Sequence, residues 1–164
     1  MVQTITYKNH LAEKISNRFL LNSNKMSRLL SDLNPVVEKM VLMLLERCLA
    51  VHVYVLITQT KRTMDEQNAL YSQGRSQPGK IVTKAKGGES YHNYGLALDF
   101  VPLDQNGHAD WTDMDAFITI GNIAKEIGFE WGGDWKFTDL PHLQYTFGLT
   151  IADLKSGKEI PTNK

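Results

Sequence analysis

Ser90-Tyr91-His92-Asn93-Tyr94-Gly95-Leu96-Ala97-Leu98-Asp99-Phe100-Val101 is the stretch that decides how this chain folds. From Leu96 onward it reads as a strand, Leu96–Leu103, whose side chains alternate between two faces. Leu96, Leu98 and Phe100 share one face, and Ala97, Asp99 and Val101 share the other. The first row belongs to a core. Asp99 therefore points from the opposite face, with small Ala97 leaving room beside it. A second stretch, His142-Leu143-Gln144-Tyr145-Thr146-Phe147, repeats the pattern: Leu143, Tyr145 and Phe147 form an apolar row, His142, Gln144 and Thr146 the other. If these two strands are neighbours, Asp99 and His142 converge on one side of a sheet. Gly95 permits the backbone bend that brings His92 to them. Pro141 biases Leu140 toward an extended conformation, which presents Asp139 beside His142.

These residues are a chemical set. Two histidines and an aspartate are ligands of the kind a catalytic zinc ion takes, with a fourth position left for water. Such a site also needs a base near that water, and Asp139 is available. A lone His or Asp is more often a hydrogen-bonded structural residue, and His10, His52 and His108 are read that way. Chance rarely assembles the combination at His92, Asp99, Asp139 and His142.

Around this centre the pattern is mixed. A short helix is expected over Met26–Asp32. Asn34 caps a second helix with Pro35 at its first position, and Val36, Val37, Met40, Val41, Leu44, Leu45 and Cys48 recur at helical spacing to about Leu49. Val51–Thr58 is β-branched and aromatic and reads as a strand. Thr63 and Glu66 form a capping box for a helix running to Gly74. Arg75 to Glu89, with Lys80, Lys84 and Lys86, reads as a long mobile loop. Asp104-Gln105-Asn106-Gly107 is a turn, Thr112 caps a helix over Asp113–Ile127, and Gly128 closes it. Phe129–Trp131 and His142–Phe147 are the last strands, and Thr150–Gly157 is a closing helix. Helices and strands without βαβ alternation predict an α+β fold with an antiparallel sheet.

The 164 residues form one domain of ordinary size, with residues 1–24 as an arm or short helix and 25–164 as the catalytic domain. Lys plus Arg equals Asp plus Glu at 18 each, which argues against nucleic-acid binding by bulk positive charge. No apolar run reaches the ~18–20 residues of a membrane span. Met1–His10 lacks the marks of a secretory signal, so synthesis in the cytoplasm is expected. Cys48 is the single cysteine; it reads as a buried small apolar side chain. No G-x-S-x-G elbow offers a rival nucleophile.

At these residues the sequence resembles the zinc-dependent cell-wall peptidases of the D-alanyl-D-alanine carboxypeptidase and L-alanyl-D-glutamate endopeptidase group. The shared signature is S-x-H-x-x-G-x-A-x-D, here Ser90, His92, Gly95, Ala97 and Asp99, followed by D-x-x-H at Asp139 and His142. The likeness extends to Arg62-Thr63, Glu66-Gln67, Leu70-Tyr71, Gly74-Arg75 and Trp131-Gly132-Gly133-Asp134-Trp135, and covers roughly Leu29 to Gly157. The resemblance implies a hedgehog/DD-peptidase-like fold and Zn2+ held by His92, Asp99 and His142. It implies that Asp139 is the base, that Arg62 stabilises the oxyanion, and that Ser90 positions site or substrate. Arg62 is equally placed to be a surface or helix-capping residue, since Thr60-Lys61 precede it where the family has a glycine and an aromatic. Trp135 and Tyr94 are candidates to line a substrate groove; aromatics near a sheet are also common in cores. The implied substrate is the stem peptide of bacterial peptidoglycan, cut by a monomer between L-alanine and D-glutamate after a phage lysis system lets the protein reach the wall. The rivals are a D,D-carboxypeptidase on the same scaffold and a non-catalytic zinc-containing binding module.

Overall fold

The structure, a computed structural model, describes residues 27–163. The arm expected over 1–24 lies outside the described residues, as do Met26 and His10.

Helix α1, Pro35–Ala50, starts where the Asn34 side chain accepts the Val36 N–H at 2.9 Å and Pro35 supplies a pre-set φ. Its buried stripe is Val36, Val37, Met40, Val41, Leu44 and Cys48. Burial pushes the Cys48 thiol up to about 11, so it packs as an apolar group. Of the helix expected over Met26–Asp32, the described part holds a single 3-10 turn at Leu30–Asp32. Pro35 blocks continuation into α1 and biases Asn34 away from helix, so the segment is too short to propagate one.

Strand β1 is Tyr54–Gln59, starting later than the expected Val51. Val51 and His52 are spent on closing α1: the Val53 N–H returns to the Cys48 carbonyl and His52 takes a positive φ of 61°. Helix α2, Met64–Ser72, opens with the expected Thr63–Glu66 capping box. A 3-10 helix over Tyr91–Tyr94 ends at Gly95 with φ 69°, where a Cβ would meet the Asp32 carbonyl at 3.0 Å. Strand β2, Ala97–Leu103, follows. Helix α3, Met114–Ile127, is capped by Asp113, which accepts the Ala116 N–H at 2.9 Å. Thr112, expected in that role, donates its hydroxyl to Asp110 instead, at 2.7 Å. Strand β3 is Glu130–Trp131 and strand β4 is His142–Gln144. The last strand stops short of the expected Phe147, which takes φ 54° and turns the chain away. Helix α4, Ile151–Lys155, closes the fold.

The sheet order is β1-β2-β4-β3 and every neighbouring pair is antiparallel. This is the α+β architecture expected. Leu98 pairs with Leu143, and their row packs against the core that Val37, Val41 and Leu44 of α1 and Phe117, Ile120 and Ala124 of α3 complete. The Phe100 and Phe117 rings lie 5.5 Å apart. With one face sealed by helices, the other carries the polar residues. There Asp99 pairs with His142 across β2–β4, and with Gln59 across β1–β2. A bulge between Ile57 and Gln59 sets that last pairing; without it Thr58 would stand opposite Asp99.

Candidate metal centre

Three strands thus present one row, Gln59, Asp99 and His142, on the sheet face away from the helices. The 3-10 helix adds His92 from beside it. His92 Nε2, His142 Nδ1 and Asp99 Oδ1 form a triangle whose three sides are each 3.3 Å. In a tetrahedral centre the ligand–ligand edge is about 1.63 times the bond, so zinc bonds of ~2.0–2.1 Å require edges of about 3.3–3.4 Å. The donor set and its spacing therefore fit a metal ion of that size with one coordination position open.

Each imidazole is held so that the correct nitrogen faces the triangle. His92 Nδ1 lies 2.7 Å from the Thr60 carbonyl oxygen, and only a protonated Nδ1 can donate there, leaving Nε2 with its lone pair. His142 is 3.1 Å through Nε2 from Gln144 Oε1, which leaves Nδ1 for the triangle. Burial would raise the Asp99 carboxyl, but with no metal bound the two imidazoles, when protonated on the nitrogens that face it, His142 first and then His92, donate to it and with their charge hold the group well below the usual carboxylate range. Burial likewise opposes charge on His142, and the Asp99 carboxylate more than offsets this, so His142 is raised.

Arg62 enters from the turn before α2. It is 8% exposed, which removes the surface alternative. Its Nη1 donates to Gln67 Oε1 at 2.6 Å, its Nη2 donates to Gln59 Oε1, and Nη2 stands 3.7 Å from Asp99 Oδ2. Arg62 Nε is buried without a hydrogen-bond partner among the described residues. Burial lowers the guanidinium pKa while Asp99, Glu66 and Asp139 oppose it; an arginine stays charged through such a shift. The backbone is clamped as well: the Arg62 N–H donates to the His92 carbonyl at 3.0 Å, and Asn93 Nδ2 donates to the Arg62 carbonyl at 2.9 Å.

Asp139 lines the same cleft, and the Trp131-Gly132-Gly133 run explains how. The Trp131 ring lies so close to Gly121 and Gly133 that a Cβ at either would sit 2.3 Å from it. Its Nε1 donates to the Leu140 carbonyl at 2.8 Å. A Cβ on Gly132 would come within 2.4 Å of the Asp139 carbonyl oxygen, and the Asp139 N–H donates to the Gly132 carbonyl at 2.9 Å. Partial burial raises the Asp139 carboxyl above its ordinary value; His142 opposes this and Asp99 adds to it.

The cleft between these walls has a volume of about 360 Å³. Ser90, Arg62, Asp139 and Trp135 line it together with the three triangle residues. The Trp135 ring lies 5.1 Å from that of His142. Tyr94 is not among the lining residues; its hydroxyl donates to the Gly88 carbonyl at 3.0 Å. The segment expected as a mobile loop has no regular element over residues 78–88, yet it is tied down. Gln67 Nε2 donates to the Ala85 carbonyl at 2.8 Å, and Arg75 Nη2 to that of Thr83 at 3.1 Å. His52 and His108 lie apart from the centre, both exposed. Sequence reasoning missed Gln59, Gln67, Gln144 and Glu130. Gln144 lay on the His142 row and Gln67 lay in the Glu66-Gln67 part of the likeness; Gln59 and Glu130 carried no signal.

This fold and donor set suit a metal-dependent hydrolase. A family model described as D-alanyl-D-alanine carboxypeptidase matches residues 83–145, the span that holds Ser90, His92, Asp99, Asp139 and His142. The chain is 45% identical over 124 residues to the peptidoglycan L-alanyl-D-glutamate endopeptidase CwlK of Bacillus subtilis (strain 168), over 70% of this chain and 74% of that protein. It is 41% identical over 96 residues to the L-alanyl-D-glutamate peptidase of Listeria phage A118, over 57% of this chain and 31% of that protein. Among solved structures, the L-Ala D-Glu endopeptidase ChiX of Serratia marcescens superposes with a TM-score of 0.56 at 26% identity, over 77% of this chain and 96% of that one. The chain belongs to the M15 family of peptidases. No helix among the described residues is long and apolar enough to cross a membrane.

Proposed function

We propose that the protein is a zinc-dependent endopeptidase that hydrolyses the bond between L-alanine and D-glutamate in peptidoglycan stem peptides. The observation that carries this reading is the 3.3 Å triangle of His92, Asp99 and His142 with Asp139 and Arg62 in the same cleft. The choice of bond is supported by the relatives that carry that activity in their names.

Amide hydrolysis needs a nucleophile at neutral pH and a counter-charge for the tetrahedral oxyanion. His92, Asp99 and His142 would hold the zinc, which when bound would supply a Lewis acid and lower the pKa of a water to about 7. Asp139 takes a proton from the attacking water onto its carboxylate and returns it to the departing amine nitrogen. Arg62 retains donors beyond those given to Gln59 and Gln67, and its fixed charge faces the oxyanion. Ser90 and Trp135 shape the wall against which the peptide lies. The phage relative supports action on the wall after release by a lysis system.

The description of the matching family model favours a second reading, removal of a terminal D-alanine. Specificity between the two lies in pocket shape, so products decide. Digestion of purified peptidoglycan, followed by mass spectrometry, should yield peptides with a new N-terminal D-glutamate. That signal should vanish with Asp139→Ala and with chelator. Free D-alanine instead would establish the carboxypeptidase. No product from folded, zinc-loaded protein on several wall types would leave a non-catalytic zinc module.

A further inference from the structure

The two imidazoles of the centre are fixed by unlike means. His92 is fixed by a backbone carbonyl, that of Thr60, which no substitution removes. His142 is fixed by side chains. Its Nε2 faces Gln144 Oε1 at 3.1 Å, Gln144 Nε2 faces Glu130 Oε2 at 2.8 Å, and Thr146 Oγ1 faces Glu130 Oε1 at 3.2 Å. The β3–β4 register builds the line, since Glu130 pairs with Gln144, and Gln144 lies two residues from His142 on the same face. All but the solvent-exposed Glu130 are buried: His142 and Gln144 are each 8% exposed.

The polarity of this line has one solution. An amide can turn either its oxygen or its NH2 toward a neighbour, and crystallographic geometry alone seldom tells which. An ionised carboxylate only accepts. Glu130 therefore requires the Gln144 NH2, which turns Gln144 Oε1 to His142. That oxygen only accepts, so His142 must carry its proton on Nε2. The lone pair is then left on Nδ1, the atom in the triangle.

We propose that Glu130 and Gln144 are positioning residues: Glu130 orients the Gln144 amide, Gln144 fixes the His142 tautomer, and the pair thereby sets the metal affinity of the centre. This rests on the reading of His92, Asp99 and His142 as a metal centre. Partners that orient a ligating histidine are commonly worth about 10–100-fold in metal affinity. Gln144 and Glu130 are not among the residues that line the cleft.

The test measures two quantities on the full chain: the zinc dissociation constant, by competition with a chromophoric chelator, and the His142 tautomer in the metal-free protein at alkaline pH, by 15N NMR of the imidazole. Gln144→Leu should weaken zinc binding by about 10–100-fold and abolish the preference for the Nε2–H tautomer. The double variant Glu130→Gln with Gln144→Glu reverses the groups but keeps every donor facing an acceptor, so it should restore both quantities toward wild type. Unchanged affinity and tautomer in Gln144→Leu, or a double variant no better than Gln144→Leu, overturns the proposal. If Gln144→Leu fails to fold, Glu130→Ala at its exposed position should give mixed tautomers and weaker zinc binding; an unchanged tautomer there overturns it equally. If the wild-type protein binds no zinc, the metal-centre reading falls, while the tautomer readout still decides the relay.

Discussion

The two walls of the cleft are built in different ways. On one, Asp99 and His142 face each other across paired strands, and backbone alternation puts both on the same sheet face. On the other, Arg62 leaves an irregular turn, and its direction comes from two glutamine side chains, Gln59 and Gln67. A strand-borne residue inherits its direction from the pleat. A loop-borne residue must be aimed by hydrogen bonds that other side chains supply. The first wall should therefore fail outright when a ligand itself is lost and only weaken when a partner such as Gln144 is lost, whereas the second should lose its aim when its supports are lost.

The largest effects lie at the strand-borne ligands and at Asp139, in the irregular segment just before β4. Asp99→Ala removes one corner of the triangle. It should abolish stoichiometric zinc, measured by mass spectrometry of the metal, and reduce peptide release to that of the chelated wild type. A variant that kept its zinc would break the comparison at its base. Asp139→Asn should keep zinc and lose about 10²–10⁴-fold in kcat, the usual worth of a general base. Asp139 works ionised, and its surroundings raise its pKa. The acid limb of kcat/KM should therefore fall through a midpoint above the ~3.9 of an ordinary aspartate, with activity present above it and lost below it. An acid limb that Asp139→Asn leaves unchanged would assign the base elsewhere.

The same contrast governs what could be read in the sequence. Alternation in Leu96–Val101 and His142–Phe147 placed Asp99 and His142 on one face, and the assumed pairing is the one found, residue against residue. Gly95 bends the chain as its position suggested, with φ 69°. The supports were not legible because they depend on pairing between distant segments. Gln59 reaches the Asp99 row only through a bulge at Thr58, and the strand pattern of Val51–Thr58 contains nothing that marks one. Glu130 meets Gln144 because of the register of a strand two residues long. The Trp131-Gly132-Gly133 run was visible as a motif. Its reason, a ring packed against Gly121 of α3, required the tertiary fold.

On the loop-built wall, Arg62→Lys keeps the charge and removes the fork. A lysine ammonium cannot hold Gln59 and Gln67 at once in the geometry of two guanidinium nitrogens. The expected loss in kcat is about 10²–10³-fold, the scale for one oxyanion donor, with zinc content unchanged. A loss confined to KM would place Arg62 in substrate binding and not in stabilising the oxyanion.

The smallest effect sharpens the comparison most, because it removes a support and leaves every reacting group in place. Gln67 is fully buried and uses both ends of its amide. Its Oε1 accepts from Arg62, and its Nε2 donates to the Ala85 carbonyl in the segment beside the cleft. Gln67→Leu keeps the volume and deletes these bonds and the longer one from Nε2 to Thr83 Oγ1 at 3.5 Å, leaving Arg62 Nη1 without that acceptor. Stability should fall by about 1–3 kcal/mol, the cost of stranding a buried polar partner, read from denaturant midpoints. Activity should fall by less than in Arg62→Lys. If Gln67 acts on catalysis through Arg62, adding Gln67→Leu to Arg62→Lys should cost little further kcat, whereas independent roles would multiply. Multiplying losses would mean that Gln67 serves the cleft through residues 83–85 instead, and that the loop-built wall is aimed by Gln59 alone.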